Sequence, residues 1–302
     1  MVEVELLDKS NRYAWGAALF AVIAWGASFI ATKIVLRELN PASVIWLRSL
    51  LGTIVLGGIL LHRRQPIRIN RNQMLYLGLL GFLGVTLHQW LQSFGLITAR
   101  ASTTAWIIAV VPVIIALLGW IFLKERLLGL QIFGIIIAVL GVLLVVSGGN
   151  LFTIFNGNFG VIGDYFILIS AFNWAIFCVL SRRTLLENPA AVMMFYVMTW
   201  GWLFATVFLF RSQEIRLISG MSFLGWLAVG FLGIVCSGLA YVAWYDALKI
   251  HTASQVGVFL YFEPLVTLGL AAVMLEEVIT IASIVGGITI LLGVWLVNRM
   301  QI

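Results

Sequence analysis

The sequence predicts an all-α membrane protein of ten transmembrane helices in two five-helix inverted repeats. Composition is the first observation behind this prediction, since 62% of the 302 residues are hydrophobic and only 10% are charged. Soluble domains contain about 45–50% apolar and about 25% charged residues. The second observation is the presence of ten apolar stretches near the ~20 residues that a helix needs to cross a bilayer. The third is an internal repeat.

The ten predicted spans are joined by short connections, which are typical of a bundle of antiparallel helices. From length and hydropathy we place them at residues 14–36, 42–61, 74–96, 103–123, 129–147, 160–180, 191–210, 223–247, 254–275 and 280–298. The first span is not followed by a small-residue cleavage site, so we expect it to be retained. The short gaps leave no room for a soluble domain.

The basic residues predict the orientation of the chain. Twelve of the 18 Lys and Arg residues lie beside the termini or in connections on the same side, and four lie on the opposite side. The other two, Lys33 and Arg48, lie within spans. Because cytoplasmic loops carry an excess of Lys and Arg, this asymmetry predicts that both termini are cytoplasmic, in the inner membrane if the cell is bacterial. Basic residues scattered over short gaps do not indicate nucleic-acid binding.

The internal repeat has an offset of 152 residues. At this offset Gly78, Gly81, Leu96, Ala101, Ser102, Pro112, Glu125, Gly134 and Gly141 fall on Gly230, Gly233, Leu248, Ala253, Ser254, Pro264, Glu277, Gly286 and Gly293. The sequence therefore predicts two units, residues 1–150 with spans 1–5 and residues 151–302 with spans 6–10. Five is an odd number, so the second unit enters the membrane from the opposite side, as in the inverted repeats of many secondary transporters.

Span 9 carries an acid and a proline near its middle, Glu263 and Pro264. Proline has no N–H and interrupts a helix, and a carboxylate at this depth needs protein, water or a partner. We predict hinges at Pro264 and at its repeat counterpart Pro112, and a solute or proton site at Glu263. The alternative is a packing kink with a hydrogen-bonded glutamic acid. Span 4 has Val111 before its proline, so any carboxylate chemistry belongs to span 9.

Other polar and aromatic residues within the spans are candidates for the same site. In span 3, Gly81, Gly84, His88, Gln92 and Gly95 recur at helical spacing and are predicted to share one face. His88 and Gln92 then border either a hydrated cavity or a hydrogen-bonded helix contact. The remaining candidates lie in five other spans: Trp25, Trp106, Asn173, Trp174, Tyr241 and Tyr261. Each has core packing as its alternative. We interpret Arg48 as a structural tether near the outer surface.

Two stretches resemble a known family: ARASTTAWIIAVVPVIIALLGWIFLKERLLGLQIFGIIIAVLGVLLV and HTASQVGVFLYFEPLVTLGLAAVMLEEVITIASIVGGITILLGVWLV. They look like two EamA-type repeats of the drug/metabolite transporter superfamily. The matching motifs are the span prolines, the acids Glu125 and Glu277 that follow them, and the glycine pairs of spans 5 and 10. The resemblance implies a cavity lined by spans 1, 3, 4, 6, 8 and 9. It also implies export of small organic metabolites such as amino acids.

Two other functional classes are open to such a chain. A membrane enzyme acting on a lipid-linked substrate would need acids or histidines clustered at one membrane face, and the longest gaps, 62–73 and 148–159, contain no such cluster. A channel would need rings of like polar groups. We expect no catalytic residues, no metal and no cofactor, because no phosphate-loop, zinc or nucleophile motif is present. The expected partners are a small solute and the lipid bilayer, and the chain can act as a monomer.

Overall fold

The structure is a computed structural model, and it describes residues 2–65, 69–124, 127–152, 160–212 and 218–298. Within these ranges the regular structure is helical throughout, and ten helices are long and apolar enough to cross a membrane. This confirms the predicted all-α membrane fold. The predicted spans coincide with the observed ones to within a few residues, and the largest difference is at the end of the sixth, which continues to Glu187.

We label the ten membrane helices in chain order, and four of them consist of two or three segments. They are α1 (Val2–Val35), α2 (Pro41–His62), α3 (Arg71–Gly81, Phe82–Leu87 and His88–Thr98), α4 (Ala101–Ile108 and Val111–Leu123), α5 (Gly129–Val146), α6 (Ile162–Glu187), α7 (Ala190–Ser212), α8 (Phe223–Gly230, Phe231–Leu239 and Ala240–Ile250), α9 (Ala253–Gly257, Val258–Phe262 and Glu263–Met274) and α10 (Ile281–Asn298).

The interruptions of these four helices have local causes. In α4 and α9 a proline occupies the first turn of the last segment. The N–H groups of a first turn have no partner within their helix, so the missing N–H of proline costs no helical hydrogen bond there. In α9 the preceding turn, Val258–Phe262, tightens into a 3₁₀-helix. In α3 and α8 the middle segment is π-helical, a form that usually marks a functional region. Residues 82–87 shifted by 152 become 234–239, which lie within the π-helical segment of α8.

Helix packing follows a pattern that is the same for both halves of the chain. Helix α1 packs against α8 and α9, and α6 packs against α3 and α4. Two further contacts, α2 with α7 and α5 with α10, each join helices at equivalent places in the two halves. Exchanging the halves therefore reproduces the same set of contacts.

Glycines bring α5 and α10 together. A Cβ added at Gly134 would lie 2.8 Å from the Gly293 carbonyl oxygen, and one at Gly141 would lie 2.7 Å from that of Gly286. The predicted packing role of these glycines is therefore confirmed. Glu125, the predicted repeat counterpart of Glu277, lies outside the described residues.

Among the glycines of α3, Gly81 lies off the face that the spacing predicts. Gly84 and Gly95 pack against Phe177 and Ile167 of α6, the helix that His88 also contacts, whereas Gly81 packs against Trp200 of α7. The physical reason is the π-helical segment, which adds a residue to the turn and shifts the faces before and after it.

The even number of crossings puts the start of α1 and the end of α10 on one side of the bilayer. We call this the terminal side and the other the far side. Three crossings precede α4, so α4 begins at the far side, and the connection between α9 and α10 also lies there.

Candidate binding cavity

A cavity of about 240 Å³ lies in the middle of the bundle, beside the interruptions of α4 and α9. Ligand cavities are commonly several hundred cubic ångströms, so this volume suits a small solute. Nine of the eleven predicted site and hinge residues line it: Trp25, His88, Gln92, Pro112, Trp174, Tyr241, Tyr261, Glu263 and Pro264. Helices α2 and α10 also contribute to the wall, which the predicted set of six lining spans omits.

Two predicted site residues, Trp106 and Asn173, do not line the cavity. The Trp106 indole is buried against Gly287 of α10 and donates a hydrogen bond to Ser283 Oγ at 3.1 Å. The Asn173 amide donates to the Leu83 carbonyl in the π-helical segment of α3 at 2.7 Å. Both side chains therefore join helices, so they have the core-packing role that the sequence analysis gave as the alternative to a place in the site.

Arg48 is part of the cavity wall, so its predicted place near the outer surface is wrong, whereas its predicted tethering of helices is observed. Only 7% of the residue is exposed. Its Nε donates to Ser237 Oγ of α8 and its Nη1 donates to Gln89 Oε1 of α3, both at 2.8 Å. The side chain thus connects three helices while reaching the cavity. Hydropathy alone could not reveal this, because a short distance into a span is compatible with snorkelling to either surface.

Glu263 reaches the cavity because α1 and α9 approach closely beside it. A Cβ on Gly26 would lie 2.7 Å from the Glu263 carbonyl oxygen, so glycine is required for this approach. Thr267 Oγ1 lies 2.8 Å from the Gly26 carbonyl oxygen and 3.0 Å from that of Glu263. The backbone around Glu263 is therefore well bonded. Among the described residues, none donates a hydrogen bond to its carboxylate or pairs with it.

Aromatic rings form two opposite parts of the wall. Trp25 of α1 packs against Tyr241 and Trp244 of α8, with ring centroids 5.3 and 5.4 Å apart. On the side of α3 and α6, His88 packs against Trp174 at 4.6 Å. The His88 Nδ1 lies 3.3 Å from the Ser170 carbonyl oxygen, which accepts a hydrogen bond from it in the tautomer with a proton on Nδ1.

A cluster of polar contacts around Glu277 lies on the far side of the cavity. It is about one helical turn beyond Phe29 and Ala105, which belong to the cavity wall. The Glu277 carboxylate accepts hydrogen bonds from the amides of Ala101 and Ser102, at 2.8 and 3.1 Å, and from the Ser102 hydroxyl at 2.7 Å. Lys33 and Arg100 lie 3.8 and 3.9 Å from it. An acid at the N-terminus of α4 satisfies amides that have no helical partner. The cluster joins α1, α4 and the α9–α10 connection.

The sequence profile of the EamA-like transporter family matches this chain twice, over residues 13–147 and 161–299. The chain belongs to the EamA-like transporter family. It is thus an integral, multi-pass transporter whose partners are a small solute and the surrounding lipid. Family membership points to transport rather than catalysis.

Relatives of this EamA-family chain span its full length. An uncharacterized transporter of Archaeoglobus fulgidus is 29% identical over 280 residues, which are 93% of this chain and 95% of that protein. A probable terminal-alkyne amino-acid exporter of Streptantibioticus cattleyicolor is 28% identical over 299 residues, 96% of this chain and 95% of that protein. One crystal structure matches with a TM-score of 0.68 and 21% identity, covering 95% of this chain and 96% of the other. It supports the fold.

Proposed function

We propose that the protein is a secondary transporter that exports small organic metabolites such as amino acids. The observation that carries the proposal is the central cavity, which lies where α4 and α9 are both interrupted and which polar and aromatic side chains line together. Interrupted helices at the midplane are typical of transporter sites. A relative named as a probable amino-acid exporter supports the substrate class.

We propose alternating access as the mechanism, with residues 1–150 and 151–302 as inverted repeats. The matching interruptions and the exchangeable helix contacts support this arrangement. Pro112 and Pro264 would act as the hinges, since both lie beside the cavity at the start of a new helical segment. The Glu277 cluster would close the far side, while the wall continues towards the terminal side as far as Gly257 and Asn298.

The basic residues support cytoplasmic termini, in the inner membrane if the cell is bacterial. The terminal side would then face the cytoplasm, and the cavity would load from it, as export requires. One chain contains the entire cavity wall, which supports a monomeric transport unit.

Flux into liposomes tests the proposed function. Purified protein would be reconstituted and exposed to radiolabelled L-leucine and L-phenylalanine, with protein-free liposomes as the control. We expect saturable uptake that unlabelled amino acid suppresses. Uptake that rises linearly with concentration, equal to that of empty liposomes, would contradict the proposal.

A further inference from the structure

We propose, on the basis of the proposed function, that the cavity recognises both charges of a zwitterionic amino acid through two different helices. Arg48 of α2 binds the solute carboxylate, and Glu263 of α9 binds the solute ammonium group.

Arg48 is buried and has hydrogen-bond donors that no described residue accepts from. A guanidinium group carries five N–H donors, and two of them are used, on Ser237 and Gln89. No carboxylate among the described residues lies within ion-pair distance of it, although the residue is 93% buried. A buried charge without a counterion is costly. The planar fork of arginine matches a carboxylate with two parallel hydrogen bonds, so a bound solute carboxylate would offset that cost.

Glu263 offers the complementary charge in the same cavity. Its carboxylate has no donor or cation among the described residues, whereas Glu277 and Asp246 each have several. An ionised carboxylate only accepts hydrogen bonds, and an ammonium group only donates them. Glu263 and Arg48 do not pair with each other, so both remain available to a solute.

The surroundings of the two charges fit an amino acid better than a simple ion. Tyr241 lines the cavity together with Arg48 and Glu263, so the three groups border one space. Trp25 and Trp174 provide flat apolar surface in the same cavity for a side chain. A neutral zwitterion would satisfy both protein charges, whereas a solute that lacks one charge would leave a buried group unpaired.

Analogues that lack one charge test this recognition on the wild-type protein. The probe is uptake of radiolabelled L-leucine by liposomes, in competition with L-leucinamide, which lacks the carboxylate, and with 4-methylpentanoate, which lacks the ammonium group. We expect each analogue to compete at least about tenfold more weakly than unlabelled leucine, since a charge-assisted hydrogen bond contributes on the order of a tenfold factor or more. The phenylalanine series, with its amide and 3-phenylpropanoate, repeats the comparison.

Two variants assign the charges to residues. Arg48→Gln should lose the discrimination against leucinamide and keep that against 4-methylpentanoate, and Glu263→Gln should do the reverse. Arg48→Lys keeps the charge without the fork and should retain part of the discrimination. The exposed pair Arg183 and Glu187 provides matched controls, because Arg183→Gln and Glu187→Gln remove the same groups far from the cavity.

The outcomes separate the inference from the proposed function. Saturable amino-acid uptake that both analogues inhibit as strongly as leucine does would overturn the inference and leave the transport function intact. The assignment is supported if Arg48→Gln loses only the discrimination against leucinamide and Glu263→Gln loses only that against 4-methylpentanoate. It is overturned if each variant loses both discriminations equally. If Arg48→Gln does not fold, the wild-type analogue series still decides. Absence of saturable uptake of either amino acid would contradict the proposed function itself, and the inference with it.

Discussion

At the scale of single residues, chemically similar side chains have different tasks according to what they face. Trp25 and Trp106 both lie in the middle of apolar helices, but Trp25 lines the cavity and Trp106 fills the contact with Gly287. Glu263 and Glu277 both belong to the region around α9, yet only Glu277 is surrounded by donors. The unpaired residue is the one that faces the cavity.

Glu263→Gln should fold and lower the flux or abolish its pH dependence. Glutamine keeps the size and much of the hydrogen bonding of the side chain but removes both its charge and its titration. Flux into liposomes measured between pH 5 and pH 8, with Glu187→Gln as the control, is the measurement. Normal flux with an unchanged pH profile would leave Glu263 with a structural role only.

Gly26→Ala should destabilise the protein, whereas Gly16→Ala in the same helix should not. The added Cβ would lie 2.7 Å from the Glu263 carbonyl oxygen at Gly26, while nothing lies within 4 Å of it at Gly16. Overpacking of this kind costs about 1–3 kcal/mol, and alanine in an exposed helix position gains up to ~1 kcal/mol over glycine. Thermal unfolding in detergent compares the two variants. Equal melting temperatures would show that α1 and α9 do not approach as described.

At the scale of elements, acids from one helix connection hold the first turn of another helix. Glu277 binds the start of α4, and Glu38 binds the start of α8 through the amide and hydroxyl of Ser222, at 2.7 and 2.6 Å. The Ser222 hydroxyl in turn accepts from the Gly225 amide at 3.1 Å. Both acids thereby connect helices that the chain does not join directly.

Glu38→Gln should lower the melting temperature at pH 7 but not in acid. Hydrogen bonds from the Ser222 side chain and backbone hold the pKa of Glu38 below its ordinary value of 4.5. Since the folded state has the lower pKa, ionised Glu38 stabilises the fold above about pH 4.5, and this contribution is lost as the pH falls through the folded-state pKa. The difference in melting temperature between wild type and variant, followed from pH 7 downwards, should therefore shrink. A constant difference would indicate that ionisation of Glu38 is irrelevant, and Glu187→Gln controls for a general loss of surface charge.

At the scale of the whole molecule, the polar contacts around Glu277 lie at the far end of the cavity, where the helix ends also pack through a buried hydrophobic cluster that includes Ile34 and Leu39. The Glu277 cluster joins α1, α4 and the α9–α10 connection, and these same helices form the cavity wall below it. In the proposed mechanism the closure of the far side includes these hydrogen bonds and two long ion pairs, and opening must break them.

Weakening this closure should expose the cavity from the far side. In a Cys178→Ser background, Ser28→Cys places a thiol in the cavity wall, while Cys236 stays buried. We expect a membrane-impermeant thiol reagent added from the far side to label this cysteine faster when Glu277→Gln is also present, because the amide lacks the charge that attracts Lys33 and Arg100. Arg183→Gln on the protein surface should leave the labelling rate unchanged. Identical rates with and without Glu277→Gln would contradict a closing role.

The sequence by itself determined the number of spans, their bounds to within a few residues, and the interruptions of α4 and α9. Transfer of a helix into lipid depends on the composition of about 20 consecutive residues, and a proline breaks its helix wherever the helix lies, so both properties are local. The glycine contacts of α5 and α10 were predictable for the same reason, since their spacing is regular in a continuous helix.

Only the tertiary structure decided which side chains meet in the cavity. Arg48 lines the cavity and Trp106 does not. The reason is that packing against other helices sets the rotation of each helix about its axis, which hydropathy does not encode. The π-helical segment of α3 leaves Gly81 facing α7, away from the face on which the spacing groups it with His88. The availability of Arg48 and Glu263 to a solute also depends on the partners that distant helices bring to each, and only the packed bundle determines those partners.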